Sequence, residues 1–496
     1  KLNGDDHKSC EGELSYVECY NMLCKMGVGK SPGNDGLTVR FYKTFWNILG
    51  KYTVNSLNTA YDKGELSNSQ KQGVITLILK NSKDKRKVEN YRPITLLNVD
   101  LKIASKVIAE RIAKVMPKLI NFHQSAFVEG RYIGDAVRTV ADVLYYVKDK
   151  NIPGILLSID FQKAYDSIDH GYMHKVLKAF NFGPSLCKWI DTFYTNISSC
   201  VMNNGTSTGY FTIYRGLRQG DPLSSQMFNL VLETLCIQLI NSRDIAGIQI
   251  QPNKNVKLSC YADDMCLFVR DLSSARSALN ILKDFESCSS LKVNNQKTEA
   301  MWIGSARHNV CKPLDVQWTK KLKVLGIYFT YNDNEFYSLN YNDKLQSLER
   351  LINMWGQRDL SVIGKITIMK TFGFSKLFYT STMIGMPLNI QKKVNDLVFK
   401  FIWNGPDKVK RSVLCADLNK GGLKMFDLKS KIKTQGITWL IRFLKPNEAG
   451  WKDILTNYLN KYGGKCLLKH NFDVKNLPDY VNIPPFYLEV LKLWSE

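Results

Sequence analysis

Two adjacent aspartates, Asp263 and Asp264, lie in the middle of residues 258–269, an otherwise largely apolar segment typical of a β-hairpin. Carboxylates this close repel each other, so a turn that holds them together is costly unless a cation lies between them. Carboxylate oxygens are the ligands that Mg²⁺ prefers. Aspartates also occur in turns because they accept hydrogen bonds from the backbone. The segment therefore predicts either a magnesium site or an ordinary polar turn.

A third carboxylate, Asp160, comes at the end of an upstream run of leucine and isoleucine, residues 155–159. Such a run is typical of a buried strand. An aspartate after a strand can also cap a following helix, and this alternative stays open. If the strand pairs with the hairpin, the three carboxylates meet at one end of a sheet. That arrangement is found in two-metal sites of phosphoryl transfer.

Seven segments accompany these carboxylates or contain them, in a fixed order along the chain. In one-letter code they are KSPGNDG (30–36), LILK (77–80), NYRPI (90–94), QGDPLS (219–224), YADD (261–264), NNQKTE (294–299) and VLGI (324–327). In this order they resemble the reverse transcriptases of non-LTR (LINE-type) retrotransposons, over residues 30–444. The resemblance implies an α+β right-hand polymerase with fingers, a palm built on a split β-α-β antiparallel sheet, and a helical thumb.

The resemblance also implies roles for single residues. Asp160, Asp263 and Asp264 would hold two Mg²⁺ ions, with Mn²⁺ able to substitute, and would catalyse transfer of a nucleotide to a primer 3′-hydroxyl. Lys297 matches a lysine that protonates the departing pyrophosphate, although a plain surface lysine fits the local sequence equally well.

Further positions match residues that contact the incoming nucleotide. Tyr165 would exclude a ribose 2′-hydroxyl, so the implied product is DNA; the alternative is a core tyrosine. Phe161 would pack beneath the nucleotide. Arg92 would bind the triphosphate through its guanidinium fork.

Lys80 is a weaker candidate for the triphosphate, because it opens a basic run, residues 80–92, that is typical of a solvated loop. Gln219 and Gly220 match the turn near the nucleotide and template base, where glycine lets the backbone approach closely. Asp221 is interpreted as a cap at the following helix start and not as a metal ligand.

Contacts to primer and template are expected at two hairpins and one loop. Tyr261 lies in the aspartate hairpin, and Leu325 and Gly326 match the primer-grip segment. Arg131, in the family-like segment 124–131, is a candidate template contact or a surface arginine.

The charge balance supports a polynucleotide partner. The 496 residues include 68 basic and 45 acidic side chains, a formal net charge of +23. No apolar run reaches the roughly 18 to 20 residues of a spanning helix, so nucleic acid is favoured over a membrane. Binding is expected to weaken steeply with salt. The twelve cysteines form no CxxC pair, which indicates reduced, intracellular residues and neither disulfides nor a zinc site.

Five regions are expected along the chain: an N-terminal helical extension (1–29), fingers (30–152), palm with interleaved fingers (153–334), helical thumb (335–450) and a partly irregular C-terminal segment (451–496). Within them, helices are predicted at 14–26, 53–64 and 99–120. Residues 391–450 carry thirteen basic and five acidic side chains. We expect the lysines there to touch nucleic acid and Phe401, Trp403 and Trp439 to form core.

The sequence thus predicts an RNA-directed DNA polymerase whose partners are an RNA template, DNA primer or target, and dNTPs, in a cytoplasmic ribonucleoprotein and the nucleus. Because the chain begins at Lys1 and not at Met, we expect a fragment or processed form of a longer protein. No endonuclease is visible in the sequence, so any cleavage of a DNA target is expected to come from outside this chain. The alternatives are a group II intron-like or domesticated reverse transcriptase, and an inactive RNA-binding scaffold. The complete carboxylate set argues against the scaffold.

Overall fold

A computed structural model describes residues 1–80, 84–478 and 482–495 of the chain. The N-terminal part combines helices with one sheet. Its helices and strands are α1 (Gly4–Ser9), α2 (Tyr16–Cys24), α3 (Val39–Lys63), α4 (Asn68–Lys71), β1 (Gln72–Leu79), β2 (Tyr91–Leu96), α5 (Val99–Leu119) and α6 (Ile133–Asp149).

The central part contains the sheet that carries the aspartates. Its elements are β3 (Pro153–Ile159), α7 (Ala164–Ser167), α8 (His170–Ala179), α9 (Pro184–Tyr194), β4 (Ser198–Asn203), β5 (Thr206–Ser207), β6 (Phe211–Thr212), α10 (Ser224–Asn241), β7 (Ile248–Gln251), β8 (Lys254–Val256), β9 (Leu258–Tyr261), β10 (Asp264–Val269), α11 (Leu272–Ser289), β11 (Glu299–Gly304), β12 (Gln317–Trp318), β13 (Lys321–Val324) and β14 (Ile327–Thr330).

The C-terminal part is helical. Its helices are α12 (Asp333–Gly356), α13 (Val362–Ile368), α14 (Ser375–Ile384), α15 (Leu388–Trp403), α16 (Arg411–Cys415), α17 (Leu428–Leu444), α18 (Gly450–Leu459) and α19 (Pro485–Ser495). A π-helical turn, Met369–Gly373, joins α13 to α14. The sequence predicts fingers, palm and thumb for these three parts, and they are called by these names below.

Two five-stranded sheets organise the molecule. The fingers sheet has the order β2-β1-β4-β5, with β6 also paired to β4. Strands from either side of β3 in sequence thus share one sheet, and β1 runs parallel to β4. The palm sheet has the order β12-β11-β3-β10-β9, with β3 antiparallel to both neighbours. The strands β11, β3, β10 and β9 form the antiparallel palm sheet expected from the sequence, and the two-residue β12 adds to its edge in parallel.

The palm sheet is covered on both faces. Leu157, Ile159 and Leu267 belong to one hydrophobic core, together with α5 and α10. Leu156 and Phe268 point to the opposite face and belong to a second core, which includes α6 and the thumb helices. Alternate residues of a strand face opposite sides, so β3 and β10 are apolar throughout because both sides are buried.

Secondary-structure predictions made from the sequence are correct in type and less accurate at their ends. The predicted helix at 99–120 corresponds to α5, and that at 14–26 to the shorter α2. The helix predicted at 53–64 begins much earlier, because the Thr38 side chain accepts from the Phe41 N–H and caps α3 there. It ends as predicted, before Gly64 in the left-handed conformation.

The C-terminal segment differs from the partly irregular tail that the sequence predicts. Its short 3₁₀ turns are irregular, but α18 and α19 contribute fully buried Trp451 and Tyr487 to the second core. The sequence gives little indication of this packing because the partners lie far apart in the chain. Trp451 Nε1 donates to Asp135 of α6, 316 residues earlier, at 3.0 Å. Residues 479–481 and 496, like 81–83 of the basic run, lie outside the described residues.

A buried polar network joins α19 to α6. Asp142 is fully buried, pairs with Arg138 one turn earlier, and accepts from the Tyr487 hydroxyl through its second oxygen. The Arg138 guanidinium also donates to the Met383 carbonyl and lies 4.1 Å from the Phe486 ring centre. A buried charge is tolerated only when its partners satisfy it, so Tyr487 is a required part of this interface.

The twelve cysteines are free thiols in this structure, and seven of them are buried. Among the described residues, helices long and apolar enough to cross a membrane are absent.

Replacing Tyr487 by Phe should destabilise the protein by about 1–3 kcal/mol, because one Asp142 oxygen loses its donor inside the core. The measurement is the shift in the urea unfolding midpoint. The matched control is Tyr214→Phe, which removes the same hydroxyl from a side chain that is 82% exposed. Equal midpoints for the two variants would show that the hydroxyl of Tyr487 contributes nothing to docking of α19.

Candidate active site

The antiparallel pairing of β3 with β10 brings the three aspartates to one end of the palm sheet. Ile159 is paired with Met265. Asp160 follows Ile159, and Asp264 precedes Met265 on the antiparallel strand. Both aspartates therefore lie at the same end of the sheet. Asp263 is in the turn between β9 and β10, where Tyr261 pairs with Asp264. The predicted strand and hairpin are therefore both present.

The carboxylates influence one another electrostatically. The pKa of Asp264 is raised to about 6, chiefly by partial desolvation and further by the negative charges of Asp263 and Asp160. The pKa of Asp263 is also raised by desolvation and by Asp160, while Arg92 opposes the rise. Both side chains nevertheless remain accessible at the sheet end. The site therefore has a negative potential that a cation would relieve.

The donor set fits Mg²⁺ when the substrate supplies part of the coordination. No three His, Cys, Asp or Glu side chains form a closed metal cluster within the described ranges 1–80, 84–478 and 482–495. Mg²⁺ is commonly bound by one or two carboxylates together with water and substrate phosphates. An open set of mutually repelling carboxylates at an accessible sheet end has this character.

The segment that contains Lys297 supports Asp160 through backbone contacts. The Asp160 N–H donates to Thr298 Oγ1 at 3.3 Å, and the Asp160 carbonyl accepts from the Asn294 N–H at 2.7 Å. Lys297 itself is exposed beside these contacts. The structure therefore places the predicted lysine motif next to the catalytic strand, and the proton-donor role of Lys297 stays a prediction.

The turn at Gln219 and Gly220 is attached to the fingers strand β2. The Gln219 carbonyl accepts from the Thr95 N–H at 2.7 Å, and the Gln219 side chain donates to Asp166 at 3.2 Å. Gly220 has φ +118°, and a Cβ there would lie 2.6 Å from the Thr95 carbonyl oxygen. Only glycine fits this position. Asp221 is buried; its carboxylate accepts from the Leu223 N–H, just before α10 begins at Ser224.

Two aromatic residues follow Asp160 along the chain. The ring of Tyr165 stacks on Phe228 of α10, with ring centres 4.6 Å apart and planes 10° from parallel. Burial raises the Tyr165 pKa to about 12, so its hydroxyl stays protonated at neutral pH. Phe161 is almost completely buried in the core beneath the sheet end. Tyr165 is thus held rigidly on a supporting ring, while Phe161 packs from below.

The two fingers cations have different surroundings. Arg92 is exposed on β2, opposite Ile78, and close enough to Asp263 to affect its pKa. The Lys80 ammonium instead donates to the Glu89 carbonyl at 3.1 Å, which attaches it to the adjoining loop. Of the two, Arg92 has the placement expected of a triphosphate ligand, and both roles stay predictions.

The predicted primer-grip residues form a tight hairpin turn. Leu325 and Gly326 connect β13 to β14 and both have positive φ, +48° and +83°. The Tyr379 hydroxyl of α14 donates to the Leu325 carbonyl at 2.6 Å. Burial raises the Tyr379 pKa to about 12, with smaller contributions from Tyr132, Tyr261 and Asp264. Tyr379 therefore attaches α14 to the hairpin turn, and no local sequence signal indicated this contact.

Arg131 has a structural role that the sequence did not predict. Its guanidinium donates to the carbonyls of Ile120 and Gln124, at 2.6 and 2.7 Å, and also to that of Asn121. These contacts close the loop between α5 and α6. Because its donors are directed at its own loop, nothing in these contacts supports the predicted template contact, which stays a prediction.

The model of the family described as "Reverse transcriptase (RNA-dependent DNA polymerase)" matches residues 78–329, about half of the chain. This span contains all three aspartates and the Gln219-Gly220 turn. The chain therefore belongs to the reverse transcriptase family, and the class of enzyme predicted from the sequence is confirmed.

Curated relatives come from transposable elements. The "Transposon TX1 uncharacterized 149 kDa protein" of Xenopus laevis is 29% identical, over 98% of this chain and 38% of the relative. The polyprotein of the type-2 retrotransposable element R2DM of Drosophila melanogaster is 25% identical, over 62% and 29% of the two chains. The "RNA-directed DNA polymerase from mobile element jockey" of the same species is 22% identical, over 52% and 28%.

These relatives confirm the resemblance to non-LTR retrotransposon enzymes, and the chain spans well under half of their length. Among solved structures, telomerase of Candida tropicalis with a telomeric RNA fragment is similar with a TM-score of 0.40 at 13% identity, over 83% of this chain and 68% of that one.

Replacing Gly220 by Ala should lower kcat/KM for the incoming dNTP by about 100-fold, because the turn must move away from the Thr95 carbonyl and carry Gln219 with it. Steady-state single-nucleotide incorporation measures this. The control is Gly209→Ala, where a Cβ meets no atom within 4 Å. Unchanged kinetics for the Gly220 variant would mean that the turn does not position the nucleotide.

Proposed function

We propose that the chain is the polymerase part of a retrotransposon protein that extends a DNA primer on an RNA template with dNTPs. The observation that carries the proposal is the convergence of Asp160, Asp263 and Asp264 at one sheet end, within a chain of the reverse transcriptase family. The Gln219-Gly220 turn and Arg92 lie on the fingers side, and the Leu325-Gly326 turn lies on the thumb side. The primer terminus and the nucleotide would meet between them.

Two Mg²⁺ ions, held by these aspartates, would activate the primer 3′-hydroxyl and neutralise charge on the triphosphate. The protein's own residues do the positioning. Arg92 would bind phosphate oxygens from the fingers, and Gly220 would let the backbone approach the nucleotide. Lys297, exposed beside the Asp160 strand, would supply a proton to the departing pyrophosphate.

The template and primer would be bound largely through phosphate contacts. The formal charge of +23 favours a polynucleotide. In the thumb, Trp439 and Phe401 are buried, so these aromatics form core and leave exposed lysines to face the nucleic acid. Copying an element RNA from a DNA end is the biological role we propose, in a ribonucleoprotein that reaches the nucleus.

Replacing both Asp263 and Asp264 by Asn should reduce primer extension on RNA by about 1,000-fold, because the charge that binds the metal ions is lost. Folding should not suffer. Since the Asp264 pKa is raised in the folded state, its ionised form opposes folding at pH 7.5, and a neutral amide removes that penalty.

The assay pairs extension with RNA binding at matched salt and with the melting temperature. Asp244→Asn is the control, since this exposed carboxylate lies in a loop away from the sheet end. If the parent protein fails to extend primers while it still binds RNA in a salt-sensitive manner, the chain is a binding scaffold and the proposal is wrong.

Replacing Tyr165 by Ala should lower the preference for dNTP over rNTP by about 10- to 100-fold, because the ring that would meet a 2′-hydroxyl is removed. Tyr165→Phe keeps the ring stacked on Phe228 and should keep the preference. The ratio of kcat/KM for dCTP and CTP measures this and does not depend on the fraction of folded enzyme. If the dCTP/CTP ratio of kcat/KM is the same for Tyr165→Ala, Tyr165→Phe and the parent protein, the Tyr165 ring does not select against the 2′-hydroxyl.

A further inference from the structure

The turn that carries Asp263 is attached to a loop outside the palm sheet. Residues 123–125 pair with the outer edge of β9, where Gln124 lies beside Cys260. The Ser125 N–H donates to the Cys260 carbonyl at 2.9 Å, and the Cys260 N–H donates to the His123 carbonyl at 2.8 Å. The loop between α5 and α6 thus forms an isolated parallel bridge with the free edge of β9, next to the aspartate hairpin.

The Gln124 side chain extends this pairing to the turn itself. Its Oε1 accepts from the Ala262 N–H at 2.9 Å, and its Nε2 donates to the Ala262 carbonyl at 3.2 Å. Oε1 also accepts from the Ala126 N–H at 2.9 Å. Because two N–H groups converge on one side-chain atom, that atom must be the oxygen, which fixes the orientation of the amide.

Ala262 needs such support. It is next to Asp263, and its φ of +53° is in the left-handed region, which costs energy for any residue with a Cβ. The mutual repulsion of Asp263 and Asp264 also favours an open turn. Hydrogen bonds to both backbone groups of Ala262 oppose that opening. The Gln124 side chain is 2% exposed, so water does not compete for them.

The loop is in turn held by the helix that follows the nucleotide turn. Asn229 of α10 donates to the Ala126 carbonyl at 2.7 Å, and Glu233 of α10 accepts from the Asn121 N–H at 2.9 Å. Arg131 closes the loop through its three carbonyl contacts. Gln124 therefore attaches the Ala262 backbone to a loop that is itself held in place by α10 and Arg131.

We infer that Gln124 is a positioning residue, which holds the Ala262 backbone so that Asp263 and Asp264 keep the geometry that binds divalent cations. The inference rests on the proposed polymerase function. Gln124 acts through Ala262, and its loss should loosen the aspartates without removing any ligand. Loss of a residue that orients ligands typically lowers metal affinity or activity by about 10- to 100-fold.

The test uses two variants of the full chain. Gln124→Glu keeps the size of the side chain and an acceptor for both N–H groups, but it sets a carboxylate oxygen against the Ala262 carbonyl. Gln124→Met removes all three hydrogen bonds at similar length. For both variants we expect kcat to fall and the Mg²⁺ concentration for half-maximal activity to rise, each about tenfold, with unchanged KM for the template-primer.

Hydrogen exchange provides a second readout that does not depend on activity. Exchange of the Ala262 amide, measured without metal or substrate, should be about tenfold faster in the Met variant, because its acceptor is gone. If the variant instead unfolded globally more often, exchange of the amides in β3 and β10 would also become faster.

The matched control is Tyr487→Phe, which removes a buried hydrogen bond to Asp142 in the second core and leaves the Gln124–Ala262 contacts in place. We expect it to lower the melting temperature with little change in the Mg²⁺ requirement. An equal rise in the Mg²⁺ requirement for the control would overturn the inference, since a general loss of stability would then account for the effect of the Gln124 variants. Unchanged Mg²⁺ dependence and Ala262 exchange in both Gln124 variants would also overturn it. An inactive parent protein contradicts the proposed function alone, because the exchange result still stands.

Discussion

The antiparallel pairing of β3 with β10 is the interaction on which the site depends. It forces like charges together at the sheet end, which is unfavourable by itself. Hydrophobic burial of the two strands, which are covered on both faces by separate cores, offsets this repulsion. A shift of the pairing by one residue would exchange the two faces of β10 and move the aspartates relative to Asp160. Hydrophobic packing therefore fixes the register, and the register fixes the carboxylates.

Much of this arrangement could be predicted because its signals are local. The strand that ends before Asp160, the hairpin around Asp263 and the glycine at position 220 are each recognisable within a few residues. Even Leu325 and Gly326, which both need positive φ, lie in one short segment. The strand and the hairpin follow from the chemistry of neighbours in sequence, whereas Gly220, Leu325 and Gly326 were indicated by the resemblance to a family.

What could not be predicted depends on distant partners. Tyr379 donates to the Leu325 carbonyl, 54 residues earlier in the chain, and Trp451 donates to Asp135, 316 residues earlier. Neither residue is unusual within its own segment. Arg131 became a candidate template contact through its family-like segment, and nothing in that segment showed that its guanidinium donates to three backbone carbonyls. Buried backbone acceptors require donors, and sequence alone does not show which ones are short of a partner.

The same requirement explains why so much of the site is held by α10. Phe228 supports the Tyr165 ring, Asn229 and Glu233 hold the loop of Gln124, and the nucleotide turn leads directly into the helix. Residues 227–232 of this helix are fully or almost fully buried, so it moves little relative to the palm sheet. Because both turns are attached to α10, a small displacement of this helix would move the nucleotide turn and the aspartate turn together. The distance between the two turns would then change little. Phosphoryl transfer depends on that separation more than on the absolute position of either part.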